Sequence, residues 1–314
     1  MKLVIINTLK EKYMARLSAA VPGAVIEAWP TVSEALPHVS DADAIALWGF
    51  QDAEPILQAA PRVRWVHSLS DGVEKLLTPS MLSRPILLTN SHGIHDRAVS
   101  EHAMTLMLAW FHQLPEAVRN QDAGQWKRPK SDILHQKRLL IAGFGAIGRA
   151  IAEKARVFGM HITAVKRSPS PEPLADALCR TEDILSALPE SDAVIAALPA
   201  TPATENFFDR EKFRAMKPGS LFVNIARASI VDEAALIDAL QNGPLAGAAL
   251  DVFSREPLPA GHPFWTMKNV IITPHIASMV PDFWDRLLSL LADNFAAFSR
   301  EEPLRNVIDK EKGY

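Results

Sequence analysis

Cysteine is nearly absent from this chain. Cys179 is the only one in 314 residues, so no internal disulfide can form and no cysteine set can build a zinc site. A reducing cytoplasm is the expected compartment, and Cys179 reads as a packed or partly exposed thiol. Basic charge is also lacking. The formal net charge is −3, and the densest basic stretch, Trp126-Lys127-Arg128-Pro129-Lys130, is a short loop, so nucleic acid is not expected as a partner. No apolar run approaches the roughly 20 residues a bilayer crossing needs, and no membrane association is expected. The early run Leu3-Val4-Ile5-Ile6 is broken by Asn7, Lys10, Glu11 and Lys12 before a signal-peptide core can form. Internal repeats and low-complexity segments are missing too. The one proline-dense stretch, Pro169-Ser170-Pro171-Glu172-Pro173, reads as a surface loop.

What is present is an alternation of short β-rich runs with helical patterns, in a chain long enough for two domains. Strand-like runs occupy 3–6, 44–48, 64–69 and 86–89, with helix-like stretches at 10–20 and 53–60. Over 96–112 the residues Val99, Ala103, Leu106, Met107 and Trp110 recur at helical spacing, predicting one long helix that bridges two strand-rich regions. The second region offers runs at 138–142, 162–165, 193–197, 220–225, 247–251 and 269–273, which predicts a doubly wound sheet of six strands. A last amphipathic helix is expected from 281 to about 299, and its pattern does not say which domain it packs on.

Leu139-Leu140-Ile141-Ala142 leads into Gly143-Phe144-Gly145-Ala146-Ile147-Gly148 and then a helix-forming run. GxGxxG alone is weak evidence, but strand, glycines and helix in this order form the dinucleotide fingerprint in its required context. Gly143 serves the tight turn, Gly145 lets a pyrophosphate approach the backbone, and Gly148 allows close helix–strand packing. Amides at the helix start then meet the phosphates. At the end of the next strand, where a carboxylate would bind the ribose of NAD(H), stand Lys166, Arg167 and Ser168, with no acid expected nearby. Two cations and a hydroxyl suit a 2′-phosphate, so NADP(H) is the preferred cofactor and NAD(H) a possible one. The plainer alternative is that both cations are solvated loop residues.

Three further residues fall at successive strand ends on the edge that carries the glycine loop. Arg227 ends Val223-Asn224-Ile225-Ala226-Arg227, where a guanidinium fork suits a substrate carboxylate. Glu256 lies in Asp251-Val252-Phe253-Ser254-Arg255-Glu256-Pro257, and His275 in Thr273-Pro274-His275-Ile276-Ala277-Ser278. A histidine is the natural acid near neutral pH, and a carboxylate bonded to it favours its protonated form. Taken singly, each has a bland explanation; together they suit reduction of a 2-keto acid, which needs a proton donor and a carboxylate anchor. His92, His95 and His102 have no accompanying acid or cysteine set, so no metal is expected.

These stretches, with Met216-Lys217-Pro218-Gly219-Ser220, Ala249-Leu250-Asp251-Val252-Phe253 and Glu256-Pro257-Leu258, resemble the NAD(P)-dependent D-isomer-specific 2-hydroxyacid dehydrogenases, glyoxylate/hydroxypyruvate reductases above all. The resemblance covers nearly the whole chain. It implies two Rossmann-like/flavodoxin-like α/β domains with parallel sheets and the active site in the cleft between them. The substrate domain would be discontinuous, 1–95 plus 285–314, with a dinucleotide-binding domain at 96–284. It implies that Arg227, Glu256 and His275 are catalytic, that Asp251 helps hold the nicotinamide carboxamide, that Ala226 binds the cofactor, and that Leu198-Pro199 lines the adenosine side. Ser70, Asp71 and Gly72 would present backbone amides to the substrate carboxylate, and Trp48-Gly49 is similar to a substrate-contacting turn. Asp71 departs from the small residues usual there and is expected to point outward.

The activity implied is NADPH-preferring reduction of small 2-keto acids to D-2-hydroxy acids by a homodimer, with the long helix in the dimer contact and Trp126 near the partner's site. Glu256 argues against the formate-oxidising branch, which carries glutamine there. With nothing after Tyr314, the regulatory domain of some phosphoglycerate-type relatives is not expected. The other readings are a nucleotide-sensing co-repressor-like protein on the same scaffold, and a phosphoglycerate-type dehydrogenase, which would need cations such as Arg62, Arg64 and Arg84 placed for a phosphate.

Overall fold

The computed structural model describes residues 1–168 and 170–313; Pro169 of the proline-dense loop and Tyr314 lie outside the described residues. The chain divides into two compact units, Met1–His95 with Val280–Tyr314, and Asp96–Met279.

The first unit holds β1 (Lys2–Ile6), β2 (Val25–Trp29), β3 (Ala44–Leu47), β4 (Trp65–Ser68) and β5 (Leu87–Thr89), all parallel in the order β2-β1-β3-β4-β5. Side chains alternate between two cores because successive residues of a strand face opposite sides. Val4 and Ile6 join Ile45, Leu47, Ile56 and Leu57 on one face, while Leu3 and Ile5 join Leu17, Leu287, Leu291 and Phe295 on the other. The helix Phe283–Ser299 therefore belongs to the first unit, where it lies along the helix Glu11–Ala20. The division falls at Val280 and not at 285, because Phe283 and Trp284 already pack on Trp48 and Tyr13 of this unit.

The second unit holds β6 (Arg138–Ala142), β7 (His161–Lys166), β8 (Ala177–Arg180), β9 (Ala193–Ala196), β10 (Leu221–Asn224), β11 (Gly247–Leu250) and β12 (Val270–Ile272). They form one parallel sheet of seven strands in the order β12-β11-β10-β9-β6-β7-β8. Counted from β6, this is the dinucleotide-binding order 3-2-1-4-5-6 with one strand added, and it reverses between β6 and β9. Leu139 and Ile141 face one core, Leu140 and Ala142 the other. Both faces are covered, as all-parallel sheets require.

One expectation needs correction. The sheet has seven strands and not six, because the short, mostly exposed β8 adds to its margin. The helix Asp96–Phe111 opens the second unit. It buries Val99, Ala103, Leu106 and Met107 inside the second unit against the helix Ala146–Val157. Trp110 reaches β11 so closely that a Cβ on Gly247 would stand 2.0 Å from its ring. Among the described residues no helix is long and apolar enough to cross a membrane.

Candidate active site

Because every strand of the second sheet is parallel, the residues that follow their carboxyl ends share one edge, where open α/β sheets take their ligands. Gly143 follows β6, Lys166 ends β7, Leu198 comes after β9, Arg227 after β10, Asp251 after β11 and His275 after β12.

The glycine loop is built for close approach. Gly143 has φ +98°, and a Cβ there would lie 2.3 Å from the Ala197 carbonyl oxygen; a Cβ on Gly148 would lie 2.3 Å from the Gly143 carbonyl oxygen. Gly145 differs: a Cβ there would meet no protein atom within 4 Å, and Gly145 caps the helix Ala146–Val157. Two glycines thus serve packing, and the third keeps the front of a helix N-terminus bare, where Ala146 and Ile147 present first-turn amides. These residues fit a dinucleotide pyrophosphate. Ala197, Leu198 and Pro199 run beside Gly143, and Thr204 Oγ donates to the Pro199 carbonyl at 2.6 Å.

The end of β7 corrects the expectation that no acid lies near. The chain returns so that Glu172 accepts Lys166 Nζ at 3.0 Å on Oε2 and Arg149 Nη2 at 3.0 Å on the same oxygen, with Arg149 Nε 3.2 Å from Oε1. Glu172 lies within the proline-dense stretch, six residues on from Lys166. Arg149, and then Lys166, hold the Glu172 carboxyl below the usual carboxylate range against its partial burial. Arg167 and Ser168 are exposed.

His275 Nδ1 and Glu256 Oε2 meet at 2.7 Å, and Glu256 Oε1 accepts the Phe253 amide at 3.0 Å. The imidazole thus has one nitrogen committed and Nε2 left for other chemistry. His275 has φ +54°, a left-handed conformation unusual for a residue with a Cβ, and the peptide Glu256–Pro257 is cis. What secures the turn is Asp251, only 1% exposed: its Oδ1 accepts Thr273 Oγ at 2.6 Å and the Ile276 amide at 3.0 Å, its Oδ2 the Ala277 amide at 3.0 Å. His102 Nε2 adds a contact to Thr273 Oγ at 3.0 Å. Burial pushes the Asp251 carboxyl up, but His102, Thr273 and the two amides outweigh it and hold it below its ordinary value. The sequence reading missed His102 and Thr273 as partners of Asp251, since a helix residue and a loop residue 171 positions apart leave no local signal.

Arg227 follows a turn fixed by Asn224, whose Nδ2 donates to the Arg227 carbonyl at 3.0 Å and whose Oδ1 accepts the Ala226 amide at 3.1 Å; Arg227 Nη1 reaches the Ala226 carbonyl at 2.9 Å. A depression of about 780 Å³ beside Arg227 is lined by Glu205, Asp232 and Glu233, three carboxylates that make it a poor seat for an anion.

In the first unit, Gly49 follows β3 and packs so tightly on the next loop that a Cβ would overlap the Gly72 carbonyl oxygen at 1.8 Å. The Gly49 amide donates to Ser70 Oγ at 3.0 Å, and Ser68 and Ser70 hydroxyls donate to the Gly72 carbonyl at 2.8 and 3.1 Å. Trp48 Nε1 donates to Asn7 Oδ1 at 3.2 Å, across the point where strand order reverses between β1 and β3. Asp71 Oδ1 takes His92 Nδ1 at 2.9 Å, and both side chains are partly exposed. His95 stacks on Phe283, and among the described residues no group of three or more His, Cys, Asp or Glu could hold a metal.

Residues 104–277 match the family model described as the D-isomer specific 2-hydroxyacid dehydrogenase NAD binding domain. A glyoxylate reductase from Thermococcus kodakarensis is 34% identical over 302 residues, spanning 91% of this chain and 90% of that protein. A D-isomer specific 2-hydroxyacid dehydrogenase from Xanthobacter autotrophicus Py2, solved with NADPH and MES, superposes with TM-score 0.87 at 26% identity over 100% of this chain and 99% of that one. An NADPH-dependent glyoxylate/hydroxypyruvate reductase from Sinorhizobium meliloti, solved with NADP and sulfate, gives TM-score 0.87 at 25% identity over the same shares. The chain belongs to the D-isomer specific 2-hydroxyacid dehydrogenase family. It is an oxidoreductase of that family, similar to its glyoxylate/hydroxypyruvate reductases.

Proposed function

We propose that this chain reduces small 2-keto acids of the glyoxylate and hydroxypyruvate type to D-2-hydroxy acids, with NADPH preferred. The observation that carries this is the 2.7 Å His275–Glu256 pair on the sheet edge that also bears the bare Gly145 and Arg227. When bound, the nicotinamide supplies hydride to the carbonyl carbon. Arg227 holds the substrate carboxylate through its planar fork and polarises the neighbouring carbonyl. His275 Nε2 gives its proton to the carbonyl oxygen as negative charge develops there, and in oxidation takes it back. Glu256 fixes the imidazole orientation through Nδ1 and so leaves Nε2 as the nitrogen that gives the proton.

Asp251 keeps the turn that carries His275 and offers the remaining lone pair of Oδ2 to the nicotinamide carboxamide, beside Ala226. Ser70, Asp71 and Gly72 give backbone amides to the substrate carboxylate, and Trp48-Gly49 bounds the substrate on the first unit. The Asp71 carboxylate is engaged by His92 Nδ1. A phosphorylated substrate finds less support, because Arg84 spends its guanidinium on the carbonyls of Leu57, Ala60 and Pro61, and Arg62 lies 3.7 Å from Asp43.

NADP(H) preference is supported by Lys166, Arg167 and Ser168 at the end of β7, and by the NADPH and NADP bound to the two structural relatives. NAD(H) is the second cofactor. The protein works as a homodimer in the cytoplasm; exposed Leu114, Val118, Trp126 and Ile133 supply the apolar surface for association. Replacing Lys166 and Arg167 by neutral residues tests the cofactor assignment. KM for NADPH is expected to rise at least about tenfold more than KM for NADH, and equal effects would refute it.

A further inference from the structure

Glu172 is bound to two cations, Lys166 of the expected 2′-phosphate end and Arg149 of the helix after the glycine loop. Lys166 is the last residue of β7, and Arg149 stands one residue past Gly148 in the helix that follows the glycine loop. Glu172 Oε2 lies 3.0 Å from each, with the Glu172 side chain 6% exposed and that of Lys166 15%. This is not a solvent-separated surface pair. It is a partly buried counterion placed between two elements that a dinucleotide must touch.

We infer that Glu172 is a selectivity-determining residue of the cofactor site, an internal anion that competes with the 2′-phosphate of NADP(H) for Lys166 and Arg149. The inference rests on the reading of the β7 edge as the 2′-phosphate end. A 2′-phosphate brings more than one negative charge near neutral pH and takes several donors. It must therefore share these cations with Glu172 or displace it. The ribose 2′-hydroxyl of NAD(H) makes no such demand, and a carboxylate is a suitable acceptor for it. The same side chain penalises NADP(H) and tolerates NAD(H), so it narrows a preference that Lys166 and Arg167 would otherwise make wide.

The test is calorimetric titration of the full chain with adenosine 2′,5′-bisphosphate and with 5′-AMP, which reads binding without turnover. Glu172→Gln keeps the shape and removes the charge. It is expected to tighten the bisphosphate about tenfold while leaving 5′-AMP within about twofold. Glu172→Asp keeps the charge and is expected to show no tightening. Unchanged or weakened bisphosphate binding in Glu172→Gln, or equal tightening in both variants, overturns the inference. Lys166→Met separates it from the parent reading. Selective loss of bisphosphate affinity in Lys166→Met upholds the 2′-phosphate end whatever Glu172 does, whereas an unchanged bisphosphate-to-AMP ratio removes that reading and the inference with it. Unaltered thermal unfolding of each variant excludes misfolding as the cause.

Discussion

His275 and Glu256 are joined at 2.7 Å through Nδ1 and Oε2, and the second oxygen of Glu256 is held by the Phe253 amide. A carboxylate anchored at one oxygen fixes the imidazole plane with the other, which leaves Nε2 as the nitrogen for proton transfer. Both side chains are roughly half exposed, so the pair matters less for stability than for orientation.

His275→Ala is expected to lower kcat by about 10²- to 10⁴-fold, the usual contribution of a positioned acid–base group, with little change in dinucleotide affinity. Glu256→Gln removes the anionic partner and keeps the shape, with a smaller fall of about 10- to 100-fold. Steady-state kinetics with fluorescence titration of the dinucleotide check both. Near-normal kcat in His275→Ala would remove His275 from its role.

The glycines separate packing from binding. Gly145→Ala adds a methyl where no protein atom lies within 4 Å, so its melting temperature should be nearly unchanged while dinucleotide affinity falls at least about tenfold. Gly148→Ala drives a Cβ to 2.3 Å from the Gly143 carbonyl, so it should melt lower. Calorimetric melting and dinucleotide titration of the two variants read the contrast, and a destabilised Gly145→Ala with intact affinity would reverse the assignment.

Asp251 accepts three donors that shape the His275 turn, and Asp251→Asn leaves one amide oxygen to serve them. The expected cost is about 2–3 kcal/mol of stability, together with a drop in kcat. The folded carboxyl lies below its unfolded value, so its contribution is present above about pH 4 and lost as pH falls through the lower folded value. Urea unfolding at pH 7 gives the cost, and an unchanged midpoint would contradict the anchoring role.

His67 supplies a separate acid sensitivity. It is fully buried in β4, with Nδ1 2.7 Å from Thr89 Oγ and Nε2 3.2 Å from Ser91 Oγ, and burial lowers it to about 3. Between about pH 6.5 and 3 the unfolded chain binds the proton the folded chain refuses, so stability is full above that window and declines as pH falls through it. By pH 5 the loss from this group is about 2 kcal/mol. Comparing urea midpoints at pH 7 and pH 5, His67→Gln should show a smaller decline than the parent chain, and an equal decline would place the sensitivity elsewhere.

The central strands were legible because they are buried on both faces and read as short continuous apolar runs: Ala44–Leu47, Ala193–Ala196 and Leu221–Asn224 are buried throughout. Val25–Trp29 and Ala177–Arg180 escaped: each pairs on one side only, Glu27 interrupts the apolar run of the first, and the second is short and mostly exposed. The glycine loop and the His275–Glu256 pair were readable because local motif and strand order fix them. The partners of Asp251 were not, since packing of a helix onto a loop is a tertiary event without a local pattern; Glu172 stands six residues from Lys166, and its pairing with Arg149 of the preceding helix has no local signature. The pairing of Asp71 with His92 depends on a rotamer that no sequence states.

The decisive measurement is the loss of 340 nm absorbance when the chain meets NADPH, and separately NADH, with glyoxylate, hydroxypyruvate, pyruvate and phenylpyruvate at neutral pH. The proposed function requires rapid oxidation of NADPH by glyoxylate and hydroxypyruvate, slower oxidation of NADH, and D configuration in the chiral products. Tight dinucleotide binding with no turnover across the panel would contradict it and point to a nucleotide-sensing protein on the same scaffold.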